Sequence, residues 1–251
     1  ICNSQISEDA EVFATIEDCT STKTSMDENN NVLWSTDDRI VIFAGTTYPS
    51  QYVLDERYAG KNYGGFSAVE SGITDGAVAG GSLSHWVAYY PYDENVACMK
   101  ADSESPTESY AITGITLPSE QDYIPDSFGN NSFPMTSIKL KGTQIISSIR
   151  LEGKNNEKLS GSAVVTAYSD QRMPSIEMSA DASKYVILDC GAGVQLDVAE
   201  AKEFIIVLPP VTFTNGFTVT LTDKAEQTFT ISTSKSNEVK RSSLLVMPEV
   251  S

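Results

Sequence analysis

The chain has 251 residues and carries 34 Asp plus Glu against 17 Lys plus Arg, a formal net charge of -17. That surplus repels nucleic-acid phosphate and anionic headgroups, which excludes nucleic acid as a partner. The length suffices for one large or two ordinary domains with their own cores, and no apolar run approaches the roughly 20 residues that cross a bilayer as a helix.

From the start of the chain, Val12, Phe13 and Ile16 stand among polar residues and predict a weak edge strand, followed by a Thr/Ser-rich segment that ends in Lys23-Thr24. The run DENNN at 27–31 reads as a turn, then come a short strand at 32–34, a second turn at 35–38 and a strand at 39–44. Short strands parted by polar turns are the sequence form of an all-β sandwich. Residues 45–81 loosen into Gly-, Ser- and Tyr-rich loops with strand candidates at 51–54 and 65–69, and WVAYY at 86–90 is the next strong strand, stopped by Pro91. An acidic loop is expected over 93–109, then a short strand at 115–118 and an extended loop through Asn131 to Pro134. Two Pro, Gly129 and several Asn break periodicity there, so the chain is expected to divide into domains 1–137 and 138–251.

The second half opens with strand candidates at 138–140, 145–151, 161–168 and 185–188. The one candidate for a short helix is 197–202. The continuous apolar run at 204–208 is stopped by Pro209 and Pro210, which cannot donate ladder hydrogen bonds. Asn215-Gly216 supplies a turn, since Gly takes positive φ without a Cβ clash. In FTVTLTDKAEQTFTIS at 217–232, Phe217, Val219 and Leu221 alternate with threonines, and so do Phe229 and Ile231 after the 223–227 turn. A period of two places the apolar residues on one face, so this is a β-hairpin over a core. The apolar run at 244–247, closed by Pro248, predicts a final strand. The fold class expected is all-β.

Residues able to do chemistry are sparse. His85 is the single histidine, no G-x-S-x-G elbow accompanies it, and a structural or surface role is expected of it. One His and no C-x-x-C pair disfavour zinc, so no catalytic residue, metal ligand or cofactor is assigned. Asp27-x-Asn29-x-Asn31, with Asp38 at the twelfth position, imitates a calcium loop, but Val32 stands where Gly is needed, and a hairpin turn is the simpler reading. The cysteines are Cys2, Cys19, Cys98 and Cys190; Cys98 and Cys190 read most simply as small core residues, with one or two disulfides the alternative. Trp86, Tyr89, Tyr90 and Tyr92 are candidates for a sugar-stacking platform, although alternation along the strand would split them between core and surface.

Several segments together carry a family resemblance: IVLPPVTFTNGFTVTLTD, TISTSK and RSSLLVMP near the end, and upstream LEGKNNEKLSG, LDCGAGVQL, ITLPSEQDYIPDSFGNN and TKTSMDENNNVLWSTDDRIVIF. Taken in their order along the chain, they resemble the fimbrillin-like surface lipoproteins of Bacteroidetes, which form pilus stalks and tips. The resemblance implies two tandem transthyretin-like β-sandwich domains, an exported chain at the outer-membrane surface, a lipid anchor upstream of the given residues, and a non-enzymatic role in cell adhesion. It also implies assembly with other fimbrial subunits by donor-strand exchange, after proteolysis at a basic residue removes a first strand, and possession of a host or bacterial surface receptor. Carried onto this sequence, the donor comprises Leu244, Leu245, Val246 and Met247, and the processing site is Lys23, the one basic residue before Arg39. One departure is that Met135-Thr136-Ser137 runs directly into IKLKG, where the family has a further strand. The alternatives are a monomeric surface glycan-binding lipoprotein using the Tyr-rich loops, and an enzyme built on a carboxylate pair.

Overall fold

The computed structural model describes residues 11–15, 25–26, 32–44, 49–69, 85–101, 108–123, 134–170, 172–241 and 244–251. The strands of the first half are β1 (Glu11–Thr15), β2 (Ser25–Met26), β3 (Val32–Leu33), β4 (Arg39–Ala44), β5 (Ser50–Leu54), β6 (Tyr63–Ala68), β7 (Trp86–Tyr89), β8 (Ala97–Ala101), β9 (Ser109–Leu117) and β10 (Glu120–Asp122). Then come β11 (Met135–Leu140), β12 (Ile145–Gly153), β13 (Gly161–Tyr168), β14 (Ser175–Met178), β15 (Tyr185–Gln195), β16 (Lys202–Val207), β17 (Val211–Phe213), β18 (Phe217–Asp223), β19 (Thr228–Ser232), β20 (Asn237–Val239) and β21 (Leu244–Val246). A single 3-10 turn at Glu56–Tyr58 interrupts them among the described residues, so the chain is all-β. No helix among these residues is long and apolar enough to cross a membrane.

Four sheets carry the architecture. The first runs β1-β6-β5-β4-β7 and the second β14-β13-β9-β8, both antiparallel. The third runs β10-β15-β12-β18-β19, with β10 parallel to β15, and the fourth is β16-β11-β21, with β21 parallel to β11. The largest core joins the third and fourth sheets: Ile149, Leu151, Val186, Leu188, Val219 and Leu221 meet Ile138, Leu140, Phe204 and Ile206. A second core joins Val41, Phe43 and Val87 of the first sheet to Cys98, Tyr110, Ile112, Leu117 and Ala163 of the second. A third gathers Val12, Trp34, Ile40, Ile42, Leu54 and Phe66 on the other face of the first sheet.

This arrangement explains the two sequence patterns. Residues of β18 alternate buried and half-buried because one face lies on the core and the threonine face meets solvent. By contrast, β4 reads as an unbroken apolar run because Ile40 and Ile42 enter one core and Val41 and Phe43 another. The run at 204–208 has the same origin, since Phe204 and Ile206 face the largest core while Val207 packs on the second. At the 213–216 turn Gly216 has φ +76°, and a Cβ there would lie 2.1 Å from the Thr233 carbonyl oxygen, so the position admits Gly alone.

Other expectations require correction. The stretch expected as an acidic loop contains β8, which pairs with β9 and, with Val96 before it, places Cys98 in the second core. β10 and β14 are also strands that the short sequences EQD and SIEM do not announce. No helix forms at 197–202: the Asp197 carboxylate accepts from the Ala199 and Glu200 N–H groups, and β16 begins at Lys202. The position between Ser137 and Ile138 lies inside β11, and the β9–β13 ladder pairs residues 109–117 with 161–168.

Candidate functional site

The last strand is the first feature of interest. β21 lies along the outer edge of β11 with Leu244 opposite Met135, Leu245 opposite Thr136 and Val246 opposite Ser137. The Thr136 hydroxyl donates to the Leu245 carbonyl at 2.9 Å, the Met247 N–H to Ser137 at 2.9 Å and the Val250 N–H to Lys139 at 2.9 Å. Successive side chains point to opposite faces, so Leu245 and Met247 pack on the largest core together with Val250. Leu244 and Val246 face the other way, and Val246 is 56% exposed. The four candidate donor residues are therefore one in-out strand, with Leu245 and Met247 as its inward pair. Pro248 ends the run, and beyond it the Lys141 ammonium meets the Glu249 carboxylate at 3.0 Å.

The second feature is the opposite kind of edge. β1 pairs antiparallel with β6, placing Val12 opposite Phe66 and Ala14 opposite Gly64. Val12 is buried with Phe66, Leu54 and Trp34, while Phe13, on the other face, sets its ring edge-on to Tyr58 at 5.9 Å. Lys23 and the 27–31 segment lie outside the described residues, as do Cys2 and Cys19. β1 stands wholly before Lys23 in the chain.

The four candidate platform aromatics do not share a face. Trp86 is 46% exposed, but Tyr89 and Tyr92 pack against the second core and Tyr90 against the third. The Tyr90 ring stands edge-on to Trp34 at 5.3 Å, and its hydroxyl donates to the Asp38 carboxylate at 3.1 Å. Asp38 also accepts from the Ser35 N–H at 2.7 Å, closing the turn that leads into β4. It thus serves the turn, with its carboxylate buried. Burial raises the Asp38 pKa above the usual carboxylate value, and the bonds from Ser35 and Tyr90 oppose that rise. Such a group binds its proton more tightly folded than unfolded, so its contribution is most favourable in acid and declines as pH rises through the folded value. Tyr90→Phe removes one opposing bond and steepens the decline. The variant is expected to lose about 2 kcal/mol near neutral pH, and less where the carboxyl is protonated. Urea unfolding at the two pH values measures this; an equal loss at both would show that the bond does not serve the charged form.

His85 is exposed, with Nδ1 2.9 Å from Glu108 Oε2 and 2.8 Å from the Tyr110 hydroxyl; Lys100 also donates to Glu108. These contacts tie the start of β7 to β8 and β9. Cys98 and Cys190 are buried free thiols, and burial pushes each pKa up to about 12, so neither is a thiolate at neutral pH. One tie that the sequence did not suggest is Gln121, whose amide donates to the Val207 carbonyl and accepts from the Val207 N–H, each at 2.9 Å. It joins β10 of the third sheet to β16 of the fourth.

No family model matches the chain, and no curated protein does. Two solved structures are similar to it, both named for a proposed role in cell adhesion. That from Bacteroides ovatus is 14% identical over 86% of this chain and 84% of its own, with a TM-score of 0.44. That from Bacteroides uniformis is 16% identical over 95% of this chain and 94% of its own, again with a TM-score of 0.44. A likeness this loose transfers neither topology nor role.

Proposed function

We propose that the chain is a non-enzymatic subunit of a surface fibre, a fimbrial stalk or tip protein for cell adhesion, and that it polymerises by strand exchange. The observation that carries this reading is the edge strand β21 with the Met247 that follows it, which packs Leu245 and Met247 against a core while Val246 is exposed. A strand held along one edge by a few hydrogen bonds and two inward side chains can leave β11 for another copy that offers an unpaired strand edge beside an apolar groove. The acceptor in this reading is the β6 edge. Cleavage after Lys23 removes β1, unpairs β6 and opens the groove over Phe66 that Val12 fills. Donor and acceptor then lie in the two expected domains, 138–251 and 1–137, while the sheets themselves cross that boundary, β13 pairing with β9 and β15 with β10. The family resemblance of the sequence supports the outer-membrane surface as the location and an upstream lipid anchor as the attachment.

Limited trypsin digestion followed by mixing with intact chain tests the proposal. The trimmed chain is expected to lose residues up to Lys23 and to form ladders of higher oligomers, read by size exclusion and mass spectrometry. Lys23→Ala should suppress both trimming and ladders. A trimmed chain that remains monomeric beside intact subunits would remove the reading.

A further inference from the structure

β19 is the outer strand of the third sheet, and no strand among the described residues pairs with its other side. Thr233 donates its N–H to Phe217 at 3.1 Å and Asp223 its N–H to Gln227 at 3.0 Å, so odd-numbered residues of β19 exchange bonds with β18. By the alternation of an antiparallel ladder, Thr228, Thr230 and Ser232 turn their N–H and C=O groups outward. Edges of this kind are ordinarily guarded by charge or proline. Elsewhere in this chain they are: β10, at the far edge of the same sheet, carries Glu120 and Asp122, β8 carries Lys100, β14 carries Glu177, and β7 and β21 run into Pro91 and Pro248. Around β19 the sequence is uncharged and free of proline from Gln227 to Ser234, in a chain of which 20% of residues are charged.

We infer that β19 is a lateral pairing edge whose partner is β19 of a second copy. The strand TFTIS suits itself. Placed antiparallel with Thr230 opposite Thr230, it sets the outward groups of Thr228, Thr230 and Ser232 against Ser232, Thr230 and Thr228 of the other copy, in register for reciprocal bonds. The same register sets Phe229 opposite Ile231 of the other copy on the core face. Phe229 is 40% exposed and Ile231 already borders the largest core, so pairing continues that core across the junction and covers Phe229. A short edge buries little area, so the association is a weak, reversible dimerisation that gains strength by repetition along a polymer. Repulsion between copies of charge -17 opposes it, and added salt therefore strengthens it.

The test is sedimentation velocity of the intact chain over a concentration series, with Thr230→Lys, Thr230→Glu and their equimolar mixture. The Thr230 side chain is exposed on the solvent face, so each substitution leaves the fold in place, as circular dichroism checks. The unsubstituted chain is expected to show a reversible dimer. Each variant alone, with like charges opposed at the two-fold axis, should weaken it about five-fold or more, and the mixture should restore it by pairing Lys with Glu. A chain monomeric throughout, a dimer indifferent to the substitutions, or a mixture no stronger than its components would each overturn the inference. Exchange through β21 and β6 does not involve Thr230 and stands or falls separately.

Discussion

Deleting residues 244–251 is expected to lower the thermal midpoint by about 10 °C, and a separate peptide of sequence 241–251 should restore most of it. The deletion takes Leu245, Met247 and Val250 from the largest core and strips β11 of its edge partner. A fully buried side chain of this size contributes about 1.5–3 kcal/mol, and these three are partly buried, so the loss is about 4 kcal/mol. For a chain of this length each kcal/mol shifts the midpoint by roughly 2–4 °C. The peptide rebuilds the same ladder from outside, and its effect should saturate with concentration as binding to the folded state requires. A peptide with Leu245→Asp and Met247→Asp should fail, because two carboxylates would enter an apolar core, whereas Val246→Asp, on the exposed face, should still bind. Rescue by both altered peptides, or by neither they nor the native peptide, would mean that the segment is no exchangeable strand.

What could be read from the sequence was whatever depended on neighbours along the chain. The Thr-apolar alternation of β18 and β19 fixed both strands and their turn, because one face meets water and the other does not. The apolar runs of β4 and β16 were legible as strands, but not as strands lying between two cores, since a run buried on both faces carries no sign of what covers each. β8, β10 and β14 were invisible for the opposite reason. β8 and β14 are unremarkable as strand formers and are held extended by hairpin ladders with the adjacent β9 and β13, while β10 is held by a parallel ladder with the distant β15 and, at Gln121, by an amide bridge to a residue 86 positions away. The candidate site divides in the same way. The terminal apolar run announced a strand, while its parallel seat on β11 and the turning of Leu244 and Val246 away from the core depend on a pairing across more than a hundred residues.

Phe66→Ala should be the most damaging single truncation in the first sheet, at about 4 kcal/mol. Phe66 is fully buried, stands between Val12 and Leu54 on adjoining strands, and takes the Trp34 ring edge-on at 5.0 Å. Its removal forfeits the transfer free energy of a benzyl group and leaves a cavity that rigid neighbouring strands cannot close. Trp34 reports the change directly, so urea unfolding followed by its fluorescence, in a Trp86→Phe background, measures the loss. Phe66→Leu keeps most of the volume and should lose about half as much or less. The pair also bears on assembly. If the groove vacated by β1 is the acceptor, its floor is this ring, and an incoming strand must bury an apolar side chain where Val12 now sits. Trimmed Phe66→Leu should then still take up a strand, and trimmed Phe66→Ala, compared at a temperature where it remains folded, should take it up at least ten-fold more weakly. Equal uptake by the two would place the acceptor elsewhere in the molecule, because no strand seated on β6 could be indifferent to the loss of the residue beneath it.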